Sequence, residues 1–181
     1  MLAIRQATIL ARSPCVWHTA FPLCLHRACA HTVCVQPYLP FLASDPVLDT
    51  LLVNLVTRMA SSVTADPYAN AFNADSTTPG DHGDDTVTPA FGNAVYESKY
   101  ELDSLAAFLK LSRGVYEHSP TLFKEGVTPA YTEWLEAVRI AVDSMIAQQQ
   151  STDEEMEGGG QAYKFARMTD TSTDTLMQVS W

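Results

Sequence analysis

Residues 97–117 read ESKYELDSLAAFLKLSRGVYE, and residues 128–145 read TPAYTEWLEAVRIAVDSM. In the first stretch Leu102, Leu105, Ala106, Phe108, Leu109, Leu111 and Val115 recur at helical spacing and wrap most of the circumference, which predicts a helix from about Glu97 to Glu117 buried on several sides. In the second, Thr128-Pro129 supplies a capping oxygen and a proline suited to a first turn. Tyr131, Trp134, Leu135, Val138, Ala141, Val142 and Met145 then form one stripe opposite Glu133, Glu136, Arg139 and Asp143. A wrapped helix followed by a one-sided helix suits the inner and outer members of a helical toroid; an ordinary bundle satisfies the same pattern.

Outward from this pair the chain stays mainly helical. Ser44-Asp45-Pro46 opens an earlier amphipathic helix that runs to about Thr64, with Leu48, Leu51, Leu52, Leu55, Met59 and Val63 on its stripe and Asp49, Asn54 and Arg58 off it. Between the first two helices, residues 66–95 are punctuated by prolines, glycines, Asn and Asp and read as one long irregular connection, of the kind that is usually functional in a compact domain. Residues 148–160, with a Gln run, Asp153-Glu154-Glu155 and Gly158-Gly159-Gly160, have a linker's composition. Tyr163-Lys164-Phe165-Ala166-Arg167 alternates like a short strand, or one arm of a hairpin, near the carboxyl end.

The 181 residues, 46% hydrophobic, suffice for one core, and the formal charge of −10 with scattered basic residues argues against a nucleic-acid partner. No run approaches the roughly 20 apolar residues of a spanning helix. The first 44 residues contain no acid, and they hold Cys15, Cys24, Cys29 and Cys34. This start partly imitates a signal or transit peptide, but His18 and Pro22 interrupt its apolar run and His26-Arg27 follow it. The secretory route stays open as a destination, with no Asn-x-Ser/Thr site to argue for it.

Among chemical motifs, the early Cys and His residues lack the paired short spacing of a structural zinc site. Asp81-His82-Gly83-Asp84-Asp85 lacks the EF-hand pattern and reads as a solvated acidic loop. The Gly158–Gly160 run is not followed by a phosphate-binding Lys-Ser/Thr, and neither a nucleophile elbow nor a His-Glu-x-x-His pair is present. Sugar hydrolysis needs two carboxyl groups in different protonation states. Asp81, Asp84, Asp85, Glu97, Glu101 and Asp103 supply carboxylates. Glu101 and Asp103 stand at the start of the helix expected to be most buried, where they either line a polar pocket or offset the helix dipole.

Three segments in order, Gln36-Pro37-Tyr38-Leu39-Pro40-Phe41, Asp66-Pro67-Tyr68-Ala69-Asn70-Ala71-Phe72-Asn73 and Lys99-Tyr100-Glu101-Leu102-Asp103-Ser104-Leu105, together with Thr173-Asp174-Thr175-Leu176, resemble glycoside hydrolase family 125, especially its fungal members of the meiotically up-regulated gene 157 type. The resemblance implies an (α/α)6 barrel that hydrolyses α-1,6-linked mannose with inversion from the non-reducing end. It also implies a mannose-containing oligosaccharide or glycan as partner, with no metal and no cofactor. Tyr68, Asn70, Glu101 and Asp103 are the expected sugar-binding residues, and oligomeric state is left open.

Departures from the family pattern set the expected organisation. Family members carry a Gly-Asp-Ile/Met-Trp-Leu-Arg-Asp-Ser type motif just upstream, where this chain has Arg27-Ala28-Cys29-Ala30-His31-Thr32-Val33. The family's acid and base follow the Thr-Asp-Thr-Leu segment, so no residue here is assigned as either. The expectation is therefore an anomalous segment at 1–33, a partial α/α-barrel domain at 34–177 and a divergent end at 178–181. Such an amino-terminal fragment would be inactive, or would serve as a non-catalytic carbohydrate-binding or interaction protein. Helix faces left wet would forgo roughly 25 cal/mol per Å² of apolar surface, favouring marginal stability and aggregation.

Overall fold

The computed structural model describes residues 34–73, 77, 80–81, 83, 85–119, 129–149 and 163–167. Cys15, Cys24, Cys29, their neighbouring histidines, the triple glycine and the Thr173–Leu176 segment lie outside the described residues.

A 3-10 turn at Gln36–Phe41 leads into α1, Pro46–Ala65. The start of α1 follows the predicted chemistry: Asp45 Oδ1 accepts hydrogen bonds from the backbone N–H groups of Val47 and Leu48 at 3.0 Å each, and Pro46 occupies the first turn. Such a cap contributes about 1 kcal/mol. The other helices are α2, Leu102–His118, and α3, Pro129–Ala147. α1 packs against both. Their shared core contains Leu52, Val56, Met59, Phe108, Leu111, Val115, Ala137 and Ala141. Each large aliphatic or aromatic side chain buried here contributes about 1.5–3 kcal/mol relative to exposure. The 3-10 turn closes on α2 through Leu39, whose Cδ1 lies 2.5 Å from where a Cβ on Gly114 would stand. A hydrogen-only side chain at 114 lets the two elements approach this closely.

The structure departs from the predicted elements in three places. First, α2 begins at Leu102 rather than Glu97, because Val95–Glu97 forms a strand, β3, and Glu101 retains extended backbone angles of φ −132° and ψ 115°. Second, α2 is not covered all round: Leu102, Ala106 and Tyr116 share an exposed side with Asp103, Lys110 and Arg113. On α3, likewise, Leu135 and Val142 of the predicted stripe are exposed while Ala137, Ala141 and Ser144 are buried. The small buried residues let α3 sit close to α1, and the rotation that achieves this turns Leu135 outward.

Third, residues 66–95 are not a structureless connection. Ala71–Phe72, β1, pairs antiparallel with β3, and Asp85–Thr88, β2, pairs antiparallel with Lys164–Arg167, β4. The carboxyl-proximal strand is thus real, but its partner is a distant segment and not a neighbouring hairpin arm. Alternation revealed the extended backbone of Tyr163–Arg167; the pairing depends on tertiary contacts that alternation does not encode. The described chain is mostly helical, with a small strand-built corner beside the helices.

Candidate functional site

The corner is assembled around the segment Asp66–Asn73. Asp66 uses both carboxylate oxygens internally: Oδ1 accepts from the Tyr68 backbone N–H at 2.9 Å, and Oδ2 accepts from the Ser98 hydroxyl at 2.8 Å. The Tyr68 ring stacks on Tyr163 with centroids 4.4 Å apart and meets Tyr100 edge-on at 6.3 Å. Burial, and then the nearby Asp66 charge, pushes the Tyr68 hydroxyl above its ordinary titration range, and burial followed by Tyr68 does the same to Tyr100. Tyr163 is displaced upward most strongly, chiefly by burial.

Two asparagines three positions apart have different fates. Asn73 is fully engaged: its Nδ2 donates to the backbone carbonyls of Gly80, Asn93 and Val95 at 2.9–3.1 Å, and its Oδ1 accepts from the Gly80 N–H at 3.2 Å. It staples the loop to β3. Asn70 is 1% exposed, and its backbone N–H donates to the Glu97 carbonyl at 3.1 Å. Its side-chain Oδ1 and Nδ2, by contrast, have no hydrogen-bond partner among the described residues. Leaving a buried amide group unmatched costs about 1–3 kcal/mol, so this carboxamide offers two N–H donors and a carbonyl acceptor at a cost the fold bears without return.

The buried carboxylates of the corner are already committed. Arg167 grips Asp85 with two parallel bonds, Nε to Oδ1 at 2.6 Å and Nη2 to Oδ2 at 2.9 Å, and also donates to Glu97 Oε1. These contacts raise the Arg167 pKa further, and its guanidinium lies over the Phe165 ring at 5.4 Å. Bidentate pairing of this kind fixes geometry as well as charge. Asp85 and Glu97 join β2, β3 and β4 through Arg167, and Asp66 ties the Tyr68 backbone to Ser98. Asp81 is exposed, and Asp84 lies outside the described residues.

The other two expected sugar-binding residues stand on the helix start. Glu101 is half-buried at the N-cap position of α2 without a side-chain capping bond, and Asp103 is exposed in the first turn. An acid there is favoured by the helix dipole without any further partner. The corner therefore brings Tyr68 and Asn70 into one hydrogen-bonded frame with residues 97–100, and Glu101 follows directly in the chain. Among the described residues no three His, Cys, Asp or Glu side chains gather as a metal site, and no helix is long and apolar enough to cross a membrane.

Tyr163, Arg167, Asp66 and Ser98 organise this corner without having been singled out by the sequence. For Tyr163 and Arg167 the signal was the alternating stretch itself, which placed both ends on extended backbone but did not identify what they touch. Beside the corner, Leu55, Met59, Val63, Ala69, Phe72, Leu105 and Phe108 line a shallow apolar groove that Arg58 and Asp66 also border.

Residues 30–181 match the family described as metal-independent alpha-mannosidase, glycoside hydrolase family 125. The chain belongs to that family. The Meiotically up-regulated gene 157 protein of Schizosaccharomyces pombe is 37% identical over 147 residues, covering 77% of this chain and 28% of that protein. A solved Streptococcus pneumoniae structure from a family of metal-independent alpha mannosidases, in a non-productive complex with α-1,6-mannobiose, superposes with a TM-score of 0.65 at 26% identity, over 87% of this chain and 33% of that one. This family 125 chain thus spans about a third or less of the relatives it matches. Its glycoside hydrolase-like character rests on those matches and not on a carboxyl pair visible here.

Proposed function

We propose that these 181 residues supply one part of an α-mannoside-processing (α/α)6 barrel, the part that recognises sugar and does not cleave it. The observation that carries this reading is the unpartnered Asn70 carboxamide, set in a family 125 segment beside a tyrosine cluster. A carboxamide donates through Nδ2 and accepts through Oδ1, which suits a pair of neighbouring sugar hydroxyls. Tyr68 offers a ring nearby, and Glu101 and Asp103 offer acceptors at the mouth of the helix. Inverting hydrolysis requires a protonated acid and an ionised base roughly 6.5–9.5 Å apart. The corner carboxylates Asp85, Glu97 and Asp66 are held by Arg167, Ser98 and the Tyr68 backbone N–H, which supports recognition and leaves acid–base chemistry to other parts of the family domain.

Because Asn70 is 1% exposed, a mannoside reaches it only when the chain covering it moves aside. Titration with α-1,6-mannobiose, followed by calorimetry and by the Asn70 side-chain NMR signals, tests the reading. Saturable heat with a shift at Asn70 supports it, and silence at millimolar sugar rejects it. Release of free mannose from the same substrate would reject the non-cleaving assignment. A freestanding carbohydrate-binding role draws on the same orphaned carboxamide. It predicts equal affinity whether or not the rest of a family domain is supplied.

A further inference from the structure

Tyr163 is 1% exposed, and its hydroxyl makes two opposed hydrogen bonds to one short backbone run. It accepts from the Tyr100 N–H at 2.8 Å and donates to the Ser98 carbonyl at 2.9 Å, across 63 and 65 positions of sequence. Residues 98–100 lie between β3 and α2 and pair with no strand among the described residues, so the phenol does for them what a neighbouring strand would do. The same residue presents its ring to Tyr68, nearly parallel at 12°.

These contacts converge on Asn70 from two directions. On one side, Tyr163 holds the Tyr68 ring, while Asp66 holds the Tyr68 backbone and is itself held by the Ser98 hydroxyl. On the other, Asn70 N–H bonds to the carbonyl of Glu97, the residue before Ser98. Asn70 hangs between two short spans of backbone whose far ends are both fixed by one phenol.

We infer that Tyr163 is a positioning residue for the Asn70 carboxamide: it holds that group in place from behind and touches no sugar itself. The assignment deepens the mannoside reading and rests on it for its functional meaning, while its geometry is testable without sugar.

The test uses Tyr163→Phe, which keeps the stacked ring and removes both hydrogen bonds. The Asn70 side-chain NH₂ signals, identified by their loss in Asn70→Leu, are expected to shift or broaden, while the Trp134 indole signal in α3 stays in place. Affinity for α-1,6-mannobiose is expected to fall roughly tenfold, the worth of about one hydrogen bond. Tyr116→Phe, which removes a tyrosine hydroxyl from the exposed side of α2, is the control and leaves the Asn70 signals unmoved. Unmoved Asn70 signals in folded Tyr163→Phe overturn the proposal. If that variant does not fold, 3-fluorotyrosine at position 163 retains ring and hydroxyl but strengthens the donor; a shift at Asn70 supports the proposal and none overturns it. A wild-type chain that ignores mannobiose sinks the mannoside reading alone, since the sugar-free signals decide the positioning claim.

Discussion

In the helical layer most buried side chains are apolar, among them Leu52, Val56, Phe108, Leu111, Ala137 and Ala141, and these hold one another by contact area. In the strand-built corner the groups out of solvent include Asn73, Glu97, Ser98 and the Asp85 carboxylate, each matched to a particular donor or acceptor. The first kind of interior accepts another apolar side chain of similar volume at modest cost. The second fails when one partner is removed, because the remaining partner stays buried and unmatched. The layer therefore sets how stable the chain is, and the corner sets where Tyr68 and Asn70 stand.

That division can be broken by mutation. Phe108→Ala should cost about 3–5 kcal/mol through the cavity it leaves. Helical circular dichroism and tyrosine fluorescence should then lose structure together in urea, and separate transitions would show that corner and layer are independent units. Arg167→Met should cost about 3 kcal/mol by stranding the Asp85 and Glu97 carboxylates. Denaturant titrations of variant and wild type measure that loss; a loss within about 0.5 kcal/mol would show that the ion pairs contribute little.

The asparagines sharpen the comparison. Asn73→Leu should destabilise by about 1–3 kcal/mol, since four backbone groups lose their partner. Asn70→Leu should leave stability within about 0.5 kcal/mol or raise it, because an unmatched amide disappears. Equal losses in denaturant titrations would show that Asn70 is a structural staple as well. The smallest effect concerns pH. Tyr68, Tyr100 and Tyr163 all titrate above their ordinary value in the folded chain, so the unfolded chain releases these protons first. Their contribution is complete below about pH 10 and is lost as pH rises beyond it. Tyr163→Phe should flatten that alkaline decline, as followed by thermal melts across the range.

The sequence made the layer legible because a helix records its burial in its own periodicity. Asp45-Pro46 and Thr128-Pro129 announced two helix starts, and the stripe of α1 named much of its core. The corner was opaque for the complementary reason. Nothing local to Arg167 points to Asp85, and nothing in Ser98 announces Asp66. The start of α2 was misplaced because nothing local to residues 97–101 announces the pairing of β3 with β1 or the bonds from residues 98 and 100 to Tyr163. Of the expected sugar-binding residues, Tyr68 and Asn70 came from the resemblance and sit in the frame described here. Glu101 and Asp103 were chosen for a buried setting, and the helix start they occupy is half-buried at one and exposed at the other.

The pairing of β2 with β4 has a temporal side. Arg167 meets Asp85 across 82 positions, and both α2 and α3 lie within the loop so closed. Each helix can form from its own neighbours, whereas the corner waits for a closure whose entropy cost precedes any reward. On a ribosome the Asp85–Arg167 clasp cannot form until residue 167 has emerged, after all three helices have been synthesised. During that interval Asp85 and Glu97 remain hydrated and Tyr68 lacks its stacking partner. The strand-built corner is therefore the last part of the described chain to acquire its shape.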